Sequence, residues 1–330
     1  MPPDLHYGRW SPPDFSLHGH NIDQLIDVVH VFMLALFIPW GLFFLYCLLK
    51  YRQKPGQSAQ YNPVKAKISK YAEIGVAVVE VFLLVGLSMP VWAQYKNDPP
   101  AEDERYTVRV IAQQFQWNAH YAGADGVFGK TDASLITELN PIGLMEEQDP
   151  HAADDIVTIN DIHLPVGRPI YMRLTSLDVI HSFFIPTMRV KQDVIPGMEV
   201  PIWFEIDAWA LSDDIRGNMT AATPIEKASW YKLRHHIFAE DVVTGDGEVM
   251  AAAGDHLGES YKAGTERIAE LREAGVKELV MQPRHPLQVV CAQLCGNSHF
   301  KMAAQLITHD EAGFAAWQAA QKQAVEFEDF

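Results

Sequence analysis

The sequence predicts a two-helix transmembrane hairpin followed by an all-β Greek-key domain that carries a partly helical insertion. Three observations lead there. Two apolar runs in the first hundred residues are each long enough to cross a bilayer. Short β-rich runs separated by turn residues fill most of the remainder. Between residues 208 and 284 that pattern breaks.

The first apolar run, residues 28–49, is dense in Phe, Leu, Ile and Val, and its one charge-capable residue is His30 near the start. The second, residues 72–93, holds Ile74, Val78, Val79, Phe82, Leu83, Leu84 and Leu87. The leader, residues 1–27, is acidic and Pro-rich with Arg9 as its one Lys or Arg, unlike a cleavable signal peptide. The link between the runs carries Lys50, Arg52, Lys54, Lys65, Lys67 and Lys70 and no acid. Cations mark the cytoplasmic side, so both termini are expected outside. The organisation expected is a leader (1–27), a membrane hairpin (28–95) and a domain on the periplasmic side of a bacterial inner membrane (96–330, insertion about 208–284).

Glu73 and Glu80 belong to the second run. An ionisable group in a membrane is costly and is a functional candidate. Glu73 sits at the cytoplasmic end, where water can solvate it. Glu80 lies roughly 10 Å deeper on the same helix face and is expected to find a partner on another subunit.

In the outer domain, strands are expected at 106–111, 156–159, 170–174, 200–204, 287–290 and 304–307, with turns at Pro165-Val-Gly-Arg168 and Pro196-Gly197. Many short strands of this kind suit a Greek-key sandwich. Within the insertion, Ile268, Leu271, Val276 and Leu279 predict a helix near 260–280. A last helix is expected from Glu311, with Phe314, Trp317 and Ala320 on one face.

The 330 residues carry a formal charge of −16, and all of the negative excess lies beyond residue 93, where the balance is −17 against +1 before it. An acidic outer domain repels nucleic acid and steers basic partners. Of three cysteines, Cys47 reads as a small membrane-buried residue, which leaves Cys291 and Cys295.

Those two belong to Cys291-Ala-Gln-Leu-Cys295-Gly-Asn-Ser-His299-Phe-Lys-Met302, and Asp178-Val-Ile-His181 adds a distant imidazole. Thiolate, thioether and imidazole are ligands that suit copper. A disulfide, a two-Cys two-His zinc site and a mononuclear blue-copper site would each use part of the set. Two copper ions sharing both thiolates would use all of it. Asp178 reads either as a guide for a basic donor or as a turn residue supporting His181. His151, His163, His235, His236 and His285 read as surface or loop residues, and Asp193 as structural or part of an interface.

The hairpin, the stretch Gln114-Phe-Gln-Trp117-Asn-Ala-His-Tyr121, the stretch Asp178 to Gly197 and the cysteine motif together resemble subunit II of the haem–copper cytochrome c oxidases. The resemblance covers nearly the whole chain except the insertion. It implies a cupredoxin-like domain with a dinuclear copper centre, CuA, held by His181, Cys291, Cys295, His299, Met302 and the backbone carbonyl of Gln293. It implies Trp117 as the aromatic that first receives electrons, a core aromatic in the first strand being the other reading of that residue, and Glu73 as a carboxylate at the mouth of a proton path. The partners implied are a haem-bearing subunit I that reduces oxygen and pumps protons, other oxidase subunits, membrane lipid and a separate cytochrome c. It also leaves room for a respiratory supercomplex. Many members have Glu where this chain has Gln293, a poorer ligand for a hard cation, which weakens the case for the family's interface magnesium. No Cys-x-x-Cys-His occurs, so no c-type haem is fused to the chain. A quinol oxidase subunit would lack the copper ligands. A membrane-anchored copper carrier would lack His299, Met302 and the second span. A nitrogen-oxide reductase with the same copper module fits the two-span anchor less well.

Overall fold

The computed structural model describes residues 11–56, 58, 67–97, 99–244, 247–258 and 260–328. They divide into a unit built on His18–Pro99 and another built on Pro100 onward together with Phe15–Leu17.

The first unit is a pair of long helices, α1 (Gly19–Lys50, 32 residues) and α2 (Lys67–Lys96, 30 residues), each containing an 18-residue stretch of mean hydropathy 2.3. Each exceeds the ~20 residues a bilayer core requires and extends past the apolar run that marked it. The polar flanks continue the helix rather than ending it. Pro39 lies inside α1 without breaking it. In α2 the turn Phe82–Ser88 widens to a π-helix just before Pro90. A proline supplies no N–H and crowds the carbonyl four residues back. Within the widened turn Ser88 Oγ donates to Leu83 O at 3.0 Å.

The outer unit is a sandwich of two five-stranded sheets. One holds β1 (Tyr106–Gln113), β2 (Gln116–Tyr121), β3 (Ile156–Ile159), β5 (Pro169–Ser176) and β8 (Val200–Glu205) in the order β3-β2-β1-β5-β8. The other holds β4 (Asp161–Pro165), β6 (His181–Ile185), β7 (Val190–Val194), β14 (Gln288–Cys291) and β15 (Ala303–His309) in the order β4-β15-β14-β6-β7. The pairs β1–β5 and β4–β15 are parallel and the others antiparallel. Along β5, buried and half-buried residues alternate strictly, the period of a strand with one face on the core. Val110, Trp117, Tyr121, Leu164, Phe183, Val289 and Leu306 fill the space between the sheets.

The strands β2, β4, β6 and β7 lie outside the sequence expectation. Strand β2 is buried at nearly every position, so it shows no alternation to read. The insertion also departs from expectation. Its helix, α4 (Tyr261–Glu273), starts at Ser260, whose Oγ accepts the Ala263 N–H. It stops before Gly275, at φ 82°. Leu279 therefore runs in a strand, β13 (Glu278–Pro283), and not on the expected helix face. That strand lies between β9 (Ala221–Pro224) and β10 (His236–Phe238), beside a hairpin of β11 (Val242–Val243) and β12 (Val249–Ala251). Ile225, Leu233, Phe238, Ile268, Leu271 and Leu279 give this body a core of its own.

Residues 208–218, with the short helix α3 (Ser212–Asn218), belong instead to the sandwich. Thr308 donates from Oγ1 to Ala210 O at 2.6 Å and from its backbone N–H to Ser212 Oγ at 2.8 Å. The separately cored body thus spans about 221–283, not 208–284. The chain ends in α5 (Glu311–Glu328), where Phe314 is buried and the Trp317 ring stacks on His163 at 4.1 Å. His163 is accordingly a strand residue within a packed cluster, not a surface or loop histidine.

Candidate metal centre

Four chain segments meet at one end of the sandwich: the β1–β2 turn, the loop before β6, the link after β7 and the loop from Cys291 to Met302. Register does most of this. Cys291 ends β14 opposite Phe183 of β6, two residues from His181, which pairs with Val194 of β7. Two backbone bonds then fix the loop: Cys291 N–H to Met302 O at 3.1 Å and Ala292 N–H to Ser182 O at 2.9 Å. The loop closes over the β1–β2 turn at Gly296, φ 138°. A Cβ there would lie 2.7 Å from Gln114 Nε2 and 3.0 Å from the Phe115 ring, so glycine permits the close approach. Gln114 Nε2 in turn donates to Cys295 O.

The sulfur and nitrogen atoms converge. The ligand atoms of His181, Cys291 and Cys295 all lie within 4.8 Å of one another. The two Sγ atoms are 3.9 Å apart and both cysteines are free. Cys291 Sγ lies 3.9 Å from His181 Nδ1 and 3.1 Å from the carbonyl oxygen of Gln293. Cys295 Sγ lies 3.5 Å from His299 Nδ1 and 3.7 Å from Met302 Sδ. All six groups singled out in the sequence as metal ligands are brought together. His181, Cys291, Cys295 and Met302 are buried.

Asp178 orients this set. Its Oδ1 accepts a hydrogen bond from His181 Nε2 at 2.8 Å. A carboxylate only accepts, so Nε2 carries the proton and Nδ1 turns its lone pair to the thiols. Burial pushes the Asp178 carboxyl up, but hydrogen bonds from His181, the Gln114 N–H and the Val179 N–H outweigh it and hold it below the ordinary range. Of the two readings of Asp178, support of His181 is the one this geometry favours. Burial first, and the neighbouring Cys291 second, push the Cys295 thiol up to about 11. A cation bound here must displace that proton, and soft thiolates beside imidazole and thioether are the donors that copper takes.

Trp117 departs from expectation. It is 0 % exposed, in edge-on contact with Phe183 at 5.4 Å and with His181 at 6.1 Å. A side chain with no surface cannot be touched by a docking protein, so Trp117 packs beneath the site and does not meet a donor. The one half-buried aromatic of that stretch is Phe115, whose ring lies against Gly296. The sequence did not single it out. Its one signal is its place in the tight β1–β2 turn, outside the strand alternation. In the membrane unit, Glu73 and Glu80 line one cavity of about 700 Å³ between α1 and α2, with Trp40 and Phe43. Ser69 Oγ donates to Glu73 Oε1 at 3.4 Å.

Residues 106–212 match the family model described as cytochrome c oxidase subunit II, periplasmic domain. The chain is 29 % identical over 315 residues to the alternative cytochrome c oxidase subunit 2 of Bradyrhizobium diazoefficiens, covering 95 % of this chain and 84 % of that one. It is 26 % identical over 191 residues to cytochrome c oxidase subunit 2 of Alkalihalophilus pseudofirmus, covering 56 % and 46 %. The crystal structure of the periplasmic domain of cytochrome oxidase subunit II from Bradyrhizobium japonicum aligns with 68 % of this chain and 97 % of its own, at 17 % identity and a TM-score of 0.31.

Proposed function

We propose that the chain is a subunit II of the cytochrome c oxidases, to which it is similar in sequence, and that it is the electron-accepting subunit of a respiratory terminal oxidase. It takes electrons from a cytochrome c and passes them to haem in subunit I, where oxygen is reduced to water and protons are pumped. The observation that carries this reading is the convergence of two thiols, two imidazoles, a thioether and a backbone carbonyl at one end of the sandwich. Cys291, Cys295, His181, His299, Met302 and Gln293 O would hold a dinuclear copper centre. That centre, when bound, supplies a redox couple in which one electron is shared by two metal ions.

The chain's own contribution is to hold the donors still. Asp178 fixes the His181 tautomer and ring plane, Trp117 walls the ring from below with Phe183 packed against it, and β6 and β14 fix the distance between His181 and Cys291. A donor set held this way changes shape little when charge changes, which suits fast transfer. The two spans anchor the domain on the periplasmic side of the inner membrane, supported by the cation-rich link at Lys50–Lys70. Glu73 belongs to a proton path whose other groups lie in subunit I. Gln293, being neutral, is a poorer side-chain ligand for a hard cation such as magnesium than a carboxylate.

Low-temperature electron paramagnetic resonance and copper analysis of the purified oxidase test this. Two copper ions per subunit II beyond those of the partner, with hyperfine structure shared over both, are expected. One copper, or an unshared four-line spectrum, overturns the dinuclear reading.

A further inference from the structure

At one end of the inserted sheet three chain segments of unusual charge meet. Strand β13 ends there, and β10 begins there with His236 opposite Pro283. Strand β9 begins on the other side of β13, with Ala221 opposite Met281. Neighbouring strands lie about 5 Å apart, so residues 234–236, residues 282–285 and the chain that leads from α3 into β9 share this edge. Hydrogen bonds join them. Arg284 donates from its backbone N–H to His235 O at 2.9 Å, and Arg234 Nε donates to His235 Nε2 at 3.0 Å. Thr220 Oγ1 bridges Arg216 O at 3.1 Å and Gln282 Oε1 at 3.5 Å.

The charge here is the reverse of the domain's. Residues 215–220, 233–239 and 281–288 hold Arg216, Arg234, Arg284, His235, His236 and His285 and no Asp or Glu, in a chain of net −16. Among the described residues, the one ion pair of these arginines is Arg216 Nη1 with Asp213 at 3.4 Å, and the Asp213 carboxylate is 94 % exposed. The Arg216 Nε–H is buried and meets no acceptor among the described residues, and His236 Nδ1 is buried and unpartnered in the same way. A buried N–H without an acceptor is costly, and a bound water or ion is a common reason for one. His285 feels the same field: burial first, then Arg284, Arg216 and His235, lower it from 6.5 to about 4.

A guanidinium is a flat fork of N–H groups that fits the oxygens of a carboxylate or a phosphate. One fork fills one carboxylate. Forks supplied by three segments, with imidazoles between them, suit a tetrahedral anion that has more oxygens to share. We infer that this edge binds phosphate, with Arg216, Arg284 and His285 at its centre and Arg234 and His235 on its flank. The phosphate is the free ion or the headgroup of an anionic lipid, which present the same oxygens. Held there, it clamps the inserted body to α3 of the sandwich. The site shares no residue with the thiol cluster and does not depend on what that cluster does.

The test uses the purified, assembled complex in detergent, as wild type, Arg284→Gln, Arg284→Lys and Arg216→Gln/Arg284→Gln. Labelled inorganic phosphate is the probe, in equilibrium dialysis at low ionic strength, where screening is weak. Wild type is expected to hold one saturable phosphate that the double variant lacks. Arg284→Gln should weaken it about tenfold or more, and Arg284→Lys, which keeps the charge, should weaken it less. Saturating phosphate should also raise the unfolding midpoint of wild type and not of the double variant. Short-chain phosphatidylglycerol is then added as competitor. Displacement of the label by this lipid and not by phosphatidylcholine assigns the site to a headgroup, and displacement by neither assigns it to the free ion. Equal phosphate binding in wild type and Arg284→Gln overturns the inference, and because Arg284 is an exposed side chain that result stands even where the double variant fails to fold. A variant that loses another chain of the complex on purification also overturns it, since the edge then seats an acidic protein face.

Discussion

Asp178 decides how His181 meets the thiols. Its Oδ1 fixes the proton on Nε2 and leaves Nδ1 as the ligand atom. Replacing such an outer partner typically costs 10–100-fold in metal affinity. Asp178→Asn should therefore lower copper affinity by about that factor, read by competition with a chelator of known affinity. An unchanged affinity would leave Asp178 only its turn-forming bonds to Gln114 and Val179. The six candidate ligands were legible in the sequence because five of them lie within twelve positions and their chemistry is unusual as a set. Trp117 was not. An aromatic in a strand serves a core or a docking face equally well by composition, and only the register, which turns position 117 between the sheets and leaves 115 in the turn, separates the two.

At the level of elements, the attachment of α5 depends on neutral imidazoles. His163 Nδ1 and His309 Nε2 are 2.8 Å apart, and Trp317 stacks on His163. Burial first, and His309 second, lower His163 from 6.5 to about 4. Burial likewise lowers His309, against the pull of Asp213 and Asp310. The unfolded chain thus takes up protons before the folded one as pH falls. This contribution to stability is present above about 6.5 and is lost as pH drops towards about 4. Trp317 emission, isolated by difference against Trp317→Phe, should shift to the red across that window, and His163→Phe should flatten the response. A wild-type signal constant from pH 7 to 4 would contradict this. The helix itself was legible from its apolar spacing at Phe314 and Trp317. Its docking partners were not, because β4 reads as a polar stretch and its pairing with β15 joins residues more than a hundred positions apart.

Over the whole molecule, the order of parts followed from patterning: two apolar runs, then short strands, then an interruption. The nature of the interruption did not. A body of about sixty residues with its own core looks, as a sequence, like a loop with one helix, because its strands are two to six residues long. The structure returns the chain to its starting point, since Ala221 pairs with Met281. Replacing residues 222–280 by a short Gly-Ser turn should leave copper content and the paramagnetic spectrum unchanged. A cut made from residue 208 should cost the domain its stability, because it removes the Ala210 and Ser212 partners of buried Thr308. Thermal unfolding of the two deletions distinguishes them, and equal loss in both would show that the body is integral to the sandwich. The apolar side chains that α1 and α2 leave exposed provide surface for other chains or lipid.

The pairing of β14 with β6 also imposes an order in time. His181 and Cys291 are 110 residues apart, so at about 5–20 residues per second the ribosome finishes the second some 5–20 s after the first. In that interval the imidazole has no thiol beside it, and afterwards the two meet only if the intervening sheet has closed. A nascent or half-folded chain therefore offers a passing metal ion no finished site, and occupancy reports that synthesis and folding are both complete.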